Sequence, residues 1–124
     1  MQIIILAGGK GTRLWPLTES IPKPMVAVAN RPFLEHLLRY YSKFNISKAS
    51  IAVGYKHDVI TNAFSNIYEK IELVYSIEEK PLGTGGAILQ SLDLLENEDV
   101  IVTNGDTFFS VDLDKMMEFH LENK

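Results

Sequence analysis

The chain has 124 residues, with 12 Lys and Arg against 16 Asp and Glu, three His, a formal net charge of −4 and 46% hydrophobic residues. That length is near the modal size of a single domain, and the absence of cysteine excludes a disulfide scaffold, thiolate metal sites and a cysteine nucleophile. The acidic balance argues against a nucleic-acid polymer or an anionic membrane surface as partner, and no apolar run reaches the ~18 residues of a membrane span.

Gln2 to Leu6 is a continuous apolar run closed by Gly8-Gly9, the pattern of a strand buried on both faces of a parallel sheet. It lacks the basic flank and cleavage site of a signal peptide, so a cytoplasmic domain is expected. A polar stretch punctuated by Gly and Pro runs from Gly8 to Pro24; loops of that length inside a compact domain are usually functional. Met25 to Ala29 suits a short extended segment. Pro32 fits the first turn of a helix with Asn30 as its cap. Phe33, Leu34, Leu37, Leu38, Tyr41 and Phe44 give that helix one broad apolar face. Ala49 to Val53 predicts a second buried strand closed by Gly54, and His57 to Phe64 a helix. Ile71 to Ile77 alternates as a strand near a sheet edge, and Gly86 to Leu95 predicts a helix. Val100 to Thr103 is a fourth strand ending at Asn104-Gly105-Asp106, and Leu113 to Glu122 is a last helix capped by Asp112.

This alternation predicts an α/β domain, a Rossmann-like, mostly parallel sheet with helices on both faces. Ligands bind at the carboxyl ends of such strands, which directs attention to Gly8–Lys23, Gly54–His57, Glu78–Gly86 and Asn104–Asp106. The first of these loops reads Leu6-Ala7-Gly8-Gly9-Lys10-Gly11-Thr12-Arg13-Leu14. Its glycines let backbone N–H groups approach a bulky anion. The dinucleotide fingerprint fails, because Leu14 occupies its third glycine position and no acidic residue follows the next extended segment. The P-loop fails as well, because Lys10 is followed by Gly11 rather than Ser or Thr. What remains is a glycine loop with Arg13, whose fork suits phosphate oxygens, and Lys23, a point charge held between Pro22 and Pro24. The plain alternative is a glycine turn carrying two solvated cations.

Gly8-Gly9-x-Gly11-Thr12-Arg13-Leu14-x-Pro16-Leu17-Thr18, followed by Pro22-Lys23-Pro24-Met25, resembles the signature of the sugar-1-phosphate nucleotidyltransferases. The likeness continues through Pro81-Leu82-Gly83-Thr84-Gly85-Gly86-Ala87 and Asn104-Gly105-Asp106, so it spans the chain in family order. It implies the nucleotide-diphospho-sugar transferase type of fold, and transfer of a nucleotidyl group from a nucleoside triphosphate to a sugar 1-phosphate with release of pyrophosphate. By the same resemblance, Leu6, Ala7, Gly8, Gly9, Gly11 and Thr12 wrap the nucleotide. Arg13 holds the β- and γ-phosphates, Lys23 sits at the reacting end, and Asp106 is a carboxylate ligand of Mg²⁺. Arg13, Lys23 and Asp106 are therefore the expected catalytic residues. Such chemistry needs no strong base, since the nucleophile is already an anionic oxygen; the work is positioning and electrostatic stabilisation.

The loop Glu78-Glu79-Lys80-Pro81-Leu82-Gly83-Thr84 reads the nucleobase in this family, with Gly83 offering backbone contact and Thr84 beside it. A carboxylate at Glu78 only accepts, and guanine presents two adjacent donors where uracil and thymine present one. Glu78 thus points to GTP, with a solvated acidic pair at Glu78 and Glu79 as the alternative. The phrasing from Tyr75 to Ile88 and from Asn104 to Phe109 is most similar to the D-glycero-D-manno-heptose 1-phosphate guanylyltransferases. Mannose or other hexose 1-phosphate guanylyltransferases come next, then uridylyl, thymidylyl and cytidylyl transferases of the same fold. A noncatalytic nucleotide-sensing domain is the alternative from another class. Family members exceed this chain in length, so residues 1–124 are expected to be the nucleotide-binding amino-terminal part of one domain, truncated before a second metal-binding Asp and several sugar contacts. An exposed sheet edge, apolar surface and a possible homo-oligomer follow from that expectation.

Other candidates have plain readings. His36 is expected in packing or at the surface, His57 as a surface cap opening a helix, and His120 in solvent. Glu96, Glu98 and Asp99 are expected to form a solvated turn without metal-site spacing. Trp15 either shields the site or anchors the loop.

Overall fold

The computed structural model describes residues 1–96 and 99–124. Its elements in chain order are β1 (Gln2–Leu6), β2 (Ala27–Val28), β3 (Arg31–Pro32), α1 (Phe33–Tyr41), β4 (Lys48–Val53), α2 (His57–Phe64), β5 (Ile67–Tyr68), β6 (Ile71–Ile77), α3 (Gly83–Leu92), β7 (Val100–Asn104) and α4 (Leu113–Asn123). A five-stranded sheet has the order β5-β6-β4-β1-β7. All its pairings are parallel except the short β5 against β6. The register aligns Leu6 with Ala52 and Asn104, and Ala52 with Ser76. The carboxyl ends of four strands are therefore level, and their outgoing loops meet at one end of the sheet.

The two faces of the sheet are covered differently. On one face Ile3, Ile5, Ala49, Ile51, Val53 and Leu73 pack with Leu34, Leu37, Leu38 and Tyr41 of α1 and Ile60 and Phe64 of α2. That apolar set accounts for the period-two and helical patterns in the sequence. On the other, Ser50, Ser76 and Ile4 are buried beneath α3, which contributes Ala87 and Ser91. The hydroxyls of Ser50, Ser76 and Ser91 are buried there without a partner among the described residues. Helices on both faces agree with the sequence expectation. So does an apolar sheet edge: Val102 of β7 and nearby Phe109 are exposed.

Several boundaries differ from the sequence reading. The helix predicted from Gly86 to Leu95 starts at Gly83 and stops at Leu92, so Gly83 and Thr84 belong to its first turn. Asn30 is not a helix cap. With Ala29 it takes the left-handed conformation (φ 50° and 65°) in the two-residue turn between β2 and β3, and Pro32 occupies the cap position. The first helix closes at Tyr41, leaving Phe44 packed on the core from outside it. β5 carries no Gly or Asn in its turn, Glu69-Lys70, and so left no signal. β6 lies one strand from the edge, which β5 lines at only two positions. Asp112 does cap α4, accepting from the Lys115 N–H at 3.1 Å.

Charges at the amino ends of the strands are paired, not merely solvated. Glu96 accepts from Gln2 Nε2 at 2.8 Å and Lys48 Nζ at 2.6 Å. These partners hold its carboxyl below the usual range, Lys48 foremost. Asp99 is likewise held low by Lys124 and then His120, and His120 Nε2 lies 2.9 Å from Asp99 Oδ1, a partner rather than open solvent. Glu98 lies outside the described residues. His36 Nε2 lies 2.6 Å from the Val28 carbonyl, tying α1 to the small hairpin.

Candidate active site

The sheet's hydrogen-bond ladder continues past the strand ends and fixes the start of each loop. Ala7 N–H donates to Ala52 O, Glu78 N–H to Val53 O, both at 2.8 Å, and Gly105 N–H to Leu6 O at 2.7 Å. A Cβ at Gly105 would stand 2.9 Å from Leu6 O. Glycine is thus required for the β7 loop to close on β1, and that closure delivers Asp106 beside the first loop.

Gly11 has φ +65°, and a Cβ there would lie 2.8 Å from Lys23 Cβ and 3.0 Å from Thr18 Cγ2. Its bare Cα lets Lys23 lie against the loop. The fully buried Thr18 donates its hydroxyl to Gly11 O at 2.6 Å. Lys23 sits in a single 3₁₀ turn (Lys23–Met25) entered from extended Pro22. Its Nζ is 2.9 Å from Asp106 Oδ2, with both side chains about 40% exposed. Thr107 Oγ1 donates to Asp106 Oδ1 at 3.1 Å. Lys23 foremost holds the Asp106 carboxyl below its ordinary value; burial opposes it, and Thr107 adds a smaller lowering contribution. Arg13 stands in a second 3₁₀ turn (Thr12–Leu14), exposed. Among the described residues it has no ion-pair or hydrogen-bond partner, so the guanidinium is free for an anion.

Beside this loop lies an open cleft of about 680 Å³, lined among others by Gly8, Gly9, Tyr55, His57, Glu78 and Pro81. Glu78 is half-buried; its Oε2 accepts from Leu82 N–H at 3.2 Å. A Cβ on Gly8 would stand 2.9 Å from Glu78 Oε1. The Glu78 carboxylate and the glycine loop therefore touch, which no sequence spacing states.

The structure brings Gly8, Gly9 and Glu78 into the cleft and places Gly11, Lys23 and Asp106 together beside it. Leu6 and Ala7 end the strand and offer backbone. Gly83 and Thr84 are exposed in the first turn of α3 and do not line the cleft. Thr12 is exposed next to Arg13. Trp15 is 51% exposed, with Leu14 and Leu17 also exposed, so it does not anchor the loop in the core. His57 opens α2 through its N–H to Gly54 O at 3.1 Å, but the cap position belongs to Lys56 at φ 50°. Its Nδ1 is buried without a partner among the described residues. Sequence reasoning passed over Tyr55 and the buried role of Thr18; position directly after a strand's closing glycine was the available signal for Tyr55.

The donor set decides how a divalent cation could fit. No group of three or more His, Cys, Asp or Glu is placed to hold a metal among the described residues. Asp106 is one hard carboxylate, partly exposed, whose Oδ2 meets Lys23 and whose Oδ1 meets Thr107. Mg²⁺ commonly takes one or two carboxylates and completes its shell with phosphate oxygens and water, so Asp106 fits as a single protein ligand. No helix among the described residues is long and apolar enough to cross a membrane.

Residues 2–124 match the family described as Nucleotidyl transferase. The chain is 45% identical over its whole length to the D-glycero-alpha-D-manno-heptose 1-phosphate guanylyltransferase of Aneurinibacillus thermoaerophilus, covering 54% of that protein. It is 48% identical over 94% of its length to the protein of the same name from Campylobacter jejuni, covering 52% of it. The chain thus spans about half the length of these curated relatives. Among solved structures, HddC from Yersinia pseudotuberculosis complexed with GMP-PN superposes with a TM-score of 0.83 at 37% identity, over 98% of this chain and 54% of that one.

Proposed function

The chain belongs to the nucleotidyl transferase family, and from that premise we propose that residues 1–124 form the nucleotide-binding part of a single domain that guanylylates D-glycero-D-manno-heptose 1-phosphate with GTP. The observation that carries this reading is the meeting of a glycine loop, the Lys23–Asp106 pair at 2.9 Å and the Glu78 carboxylate at one end of the sheet. Relatives with the heptose guanylyltransferase name share 45–48% of the sequence, which supports the choice of base and sugar.

In the proposed reaction an oxygen of the sugar phosphate attacks the α-phosphorus of GTP. The bond from that phosphorus to the oxygen bridging the β-phosphate breaks, and its electron pair leaves with pyrophosphate. Gly8, Gly9 and Gly11 aim N–H groups at the triphosphate, while Leu6, Ala7 and Thr12 flank them. Arg13 grips the β- and γ-phosphates with its fork, where charge accumulates on the leaving group. Lys23 leaves Asp106 for the phosphate at the reacting end. Asp106 would hold Mg²⁺, which when bound would neutralise charge on the phosphates. Glu78, already oriented by Leu82 N–H, accepts from the N1–H and 2-amino groups of guanine. Gly83 and Thr84 serve from the first turn of α3, by backbone N–H rather than as walls of the cleft.

Pyrophosphate release by the protein tests this directly. Release that requires both GTP and D-glycero-D-manno-heptose 1-phosphate is expected. Equal release with mannose 1-phosphate moves the sugar assignment to a hexose, and equal release with UTP or dTTP removes the role given to Glu78.

A further inference from the structure

We propose that Tyr55 is a positioning residue: its hydroxyl holds the phosphate loop in the shape that grips a triphosphate, while its ring walls the base cleft. The inference rests on the nucleotide-binding reading above. Tyr55 follows Gly54 at the carboxyl end of β4 and lines the cleft together with Gly8, Gly9 and Glu78. Its hydroxyl lies 3.1 Å from Thr18 O and 2.9 Å from Glu19 O, reaching back 37 and 36 residues in the chain.

Beyond Ile21, which packs against the core, and the buried Thr18, the stretch from Thr12 to Ile21 has few other ties. Among the described residues, every other hydrogen bond made by positions 12–21 stays inside the loop. Leu14, Trp15 and Leu17 are exposed, so apolar packing contributes little there. The tie from Tyr55 arrives at the one loop residue that matters most for its shape. Thr18 is fully buried and donates to Gly11 O at 2.6 Å; Gly11 in turn is packed against Lys23, which pairs with Asp106. An unbroken path thus runs from the base cleft through Tyr55, Thr18 and Gly11 to the cation and carboxylate of the reacting end. The ring itself is steadied by Lys56 Nζ at 5.6 Å from its centroid.

Tyr55→Phe keeps the ring and removes only the tie. Expected is about a fivefold loss of GTP affinity, the worth of one net hydrogen bond, with GMP affinity changed less than about twofold because the cleft wall is intact. Acrylamide quenching of Trp15, the one tryptophan of the chain, rises in this variant without nucleotide. Thr18→Val, which removes the hydroxyl bond to Gly11 and leaves Tyr55 in place, gives the same GTP-selective loss, and the double variant is little worse than either. GTP and GMP weakened alike, or GTP unaffected while the unaltered chain binds it, overturns the role of Tyr55 alone. Binding of neither nucleotide by the unaltered chain overturns the functional reading beneath it.

Discussion

The two ends of the sheet carry hollows of similar size, about 680 Å³ at the carboxyl ends of the strands and about 610 Å³ at the amino ends. They are built of different chemistry. The amino-end hollow is walled by Met117 and Leu121 with the carboxyl groups of Asp114, Glu118 and Glu122. Nearby charges there are engaged in structural pairs, Lys48 with Glu96 and Asp99 with Lys124. At the carboxyl end glycine backbone is exposed, Arg13 has no partner among the described residues, and the Lys23–Asp106 ion pair joins two partly exposed groups. Volume alone does not mark a site; cations left unspent beside glycine N–H groups do.

The contrast breaks most sharply at Arg13. Because the guanidinium has no polar partner among the described residues, Arg13→Ala is expected to weaken GTP binding about 100-fold and leave the melting temperature where it was, as calorimetric titration and a thermal scan would read. A melting temperature that falls instead would make Arg13 structural, like the cations of the other end. Gly11→Ala comes next. Left-handed φ with a methyl 2.8 Å from Lys23 Cβ should cost about 2 kcal/mol of stability in denaturant unfolding and displace Lys23. Gly9→Ala, whose methyl meets no atom within 4 Å, should cost far less.

Asp106→Asn removes the internal partner of Lys23. Without metal, pyrophosphate is expected to bind about threefold tighter, the scale of one exposed ion pair; with Mg²⁺ present, GTP should bind more weakly than in the unaltered protein. The smallest effect belongs to the amino end. The Glu96 and Asp99 carboxyls titrate below their ordinary values of 4.5 and 3.8. A carboxylate held low stabilises fully above its unfolded pKa, and that contribution fades as pH falls through the folded value. Glu96→Gln should therefore lessen the stability lost between about pH 6 and about pH 3 while leaving GTP affinity at neutral pH unaltered.

Much of this was legible in the residues. Apolar runs such as Gln2–Leu6 and Ala49–Val53 form level parallel strands, and Gly11, Lys23 and Asp106 come together. Hidden were features set by long-range geometry. The Glu78 contact with Gly8 and the reach of Tyr55 to Thr18 join segments far apart in the chain, and periodicity carries no record of them. Gly83 and Thr84 were misplaced because Gly is a poor helix former, yet α3 begins on them, its approach held by Glu78 accepting from Leu82 N–H. Asn30 was misread because a left-handed turn and a helix cap favour the same residue.

On the proposed reading, the carboxyl end of this sheet binds a guanine nucleotide through Arg13 and Glu78. Thermal unfolding in the presence of Mg²⁺ with GTP, ATP, UTP, CTP or dTTP in turn tests it most directly. A nucleotide at a hundred times its Kd adds about 2.7 kcal/mol to a two-state domain. Stabilisation selective for GTP, lost in Arg13→Ala and spread to other bases in Glu78→Gln, is the predicted result. Equal stabilisation by all five nucleotides, or a GTP effect that survives Arg13→Ala, would contradict it.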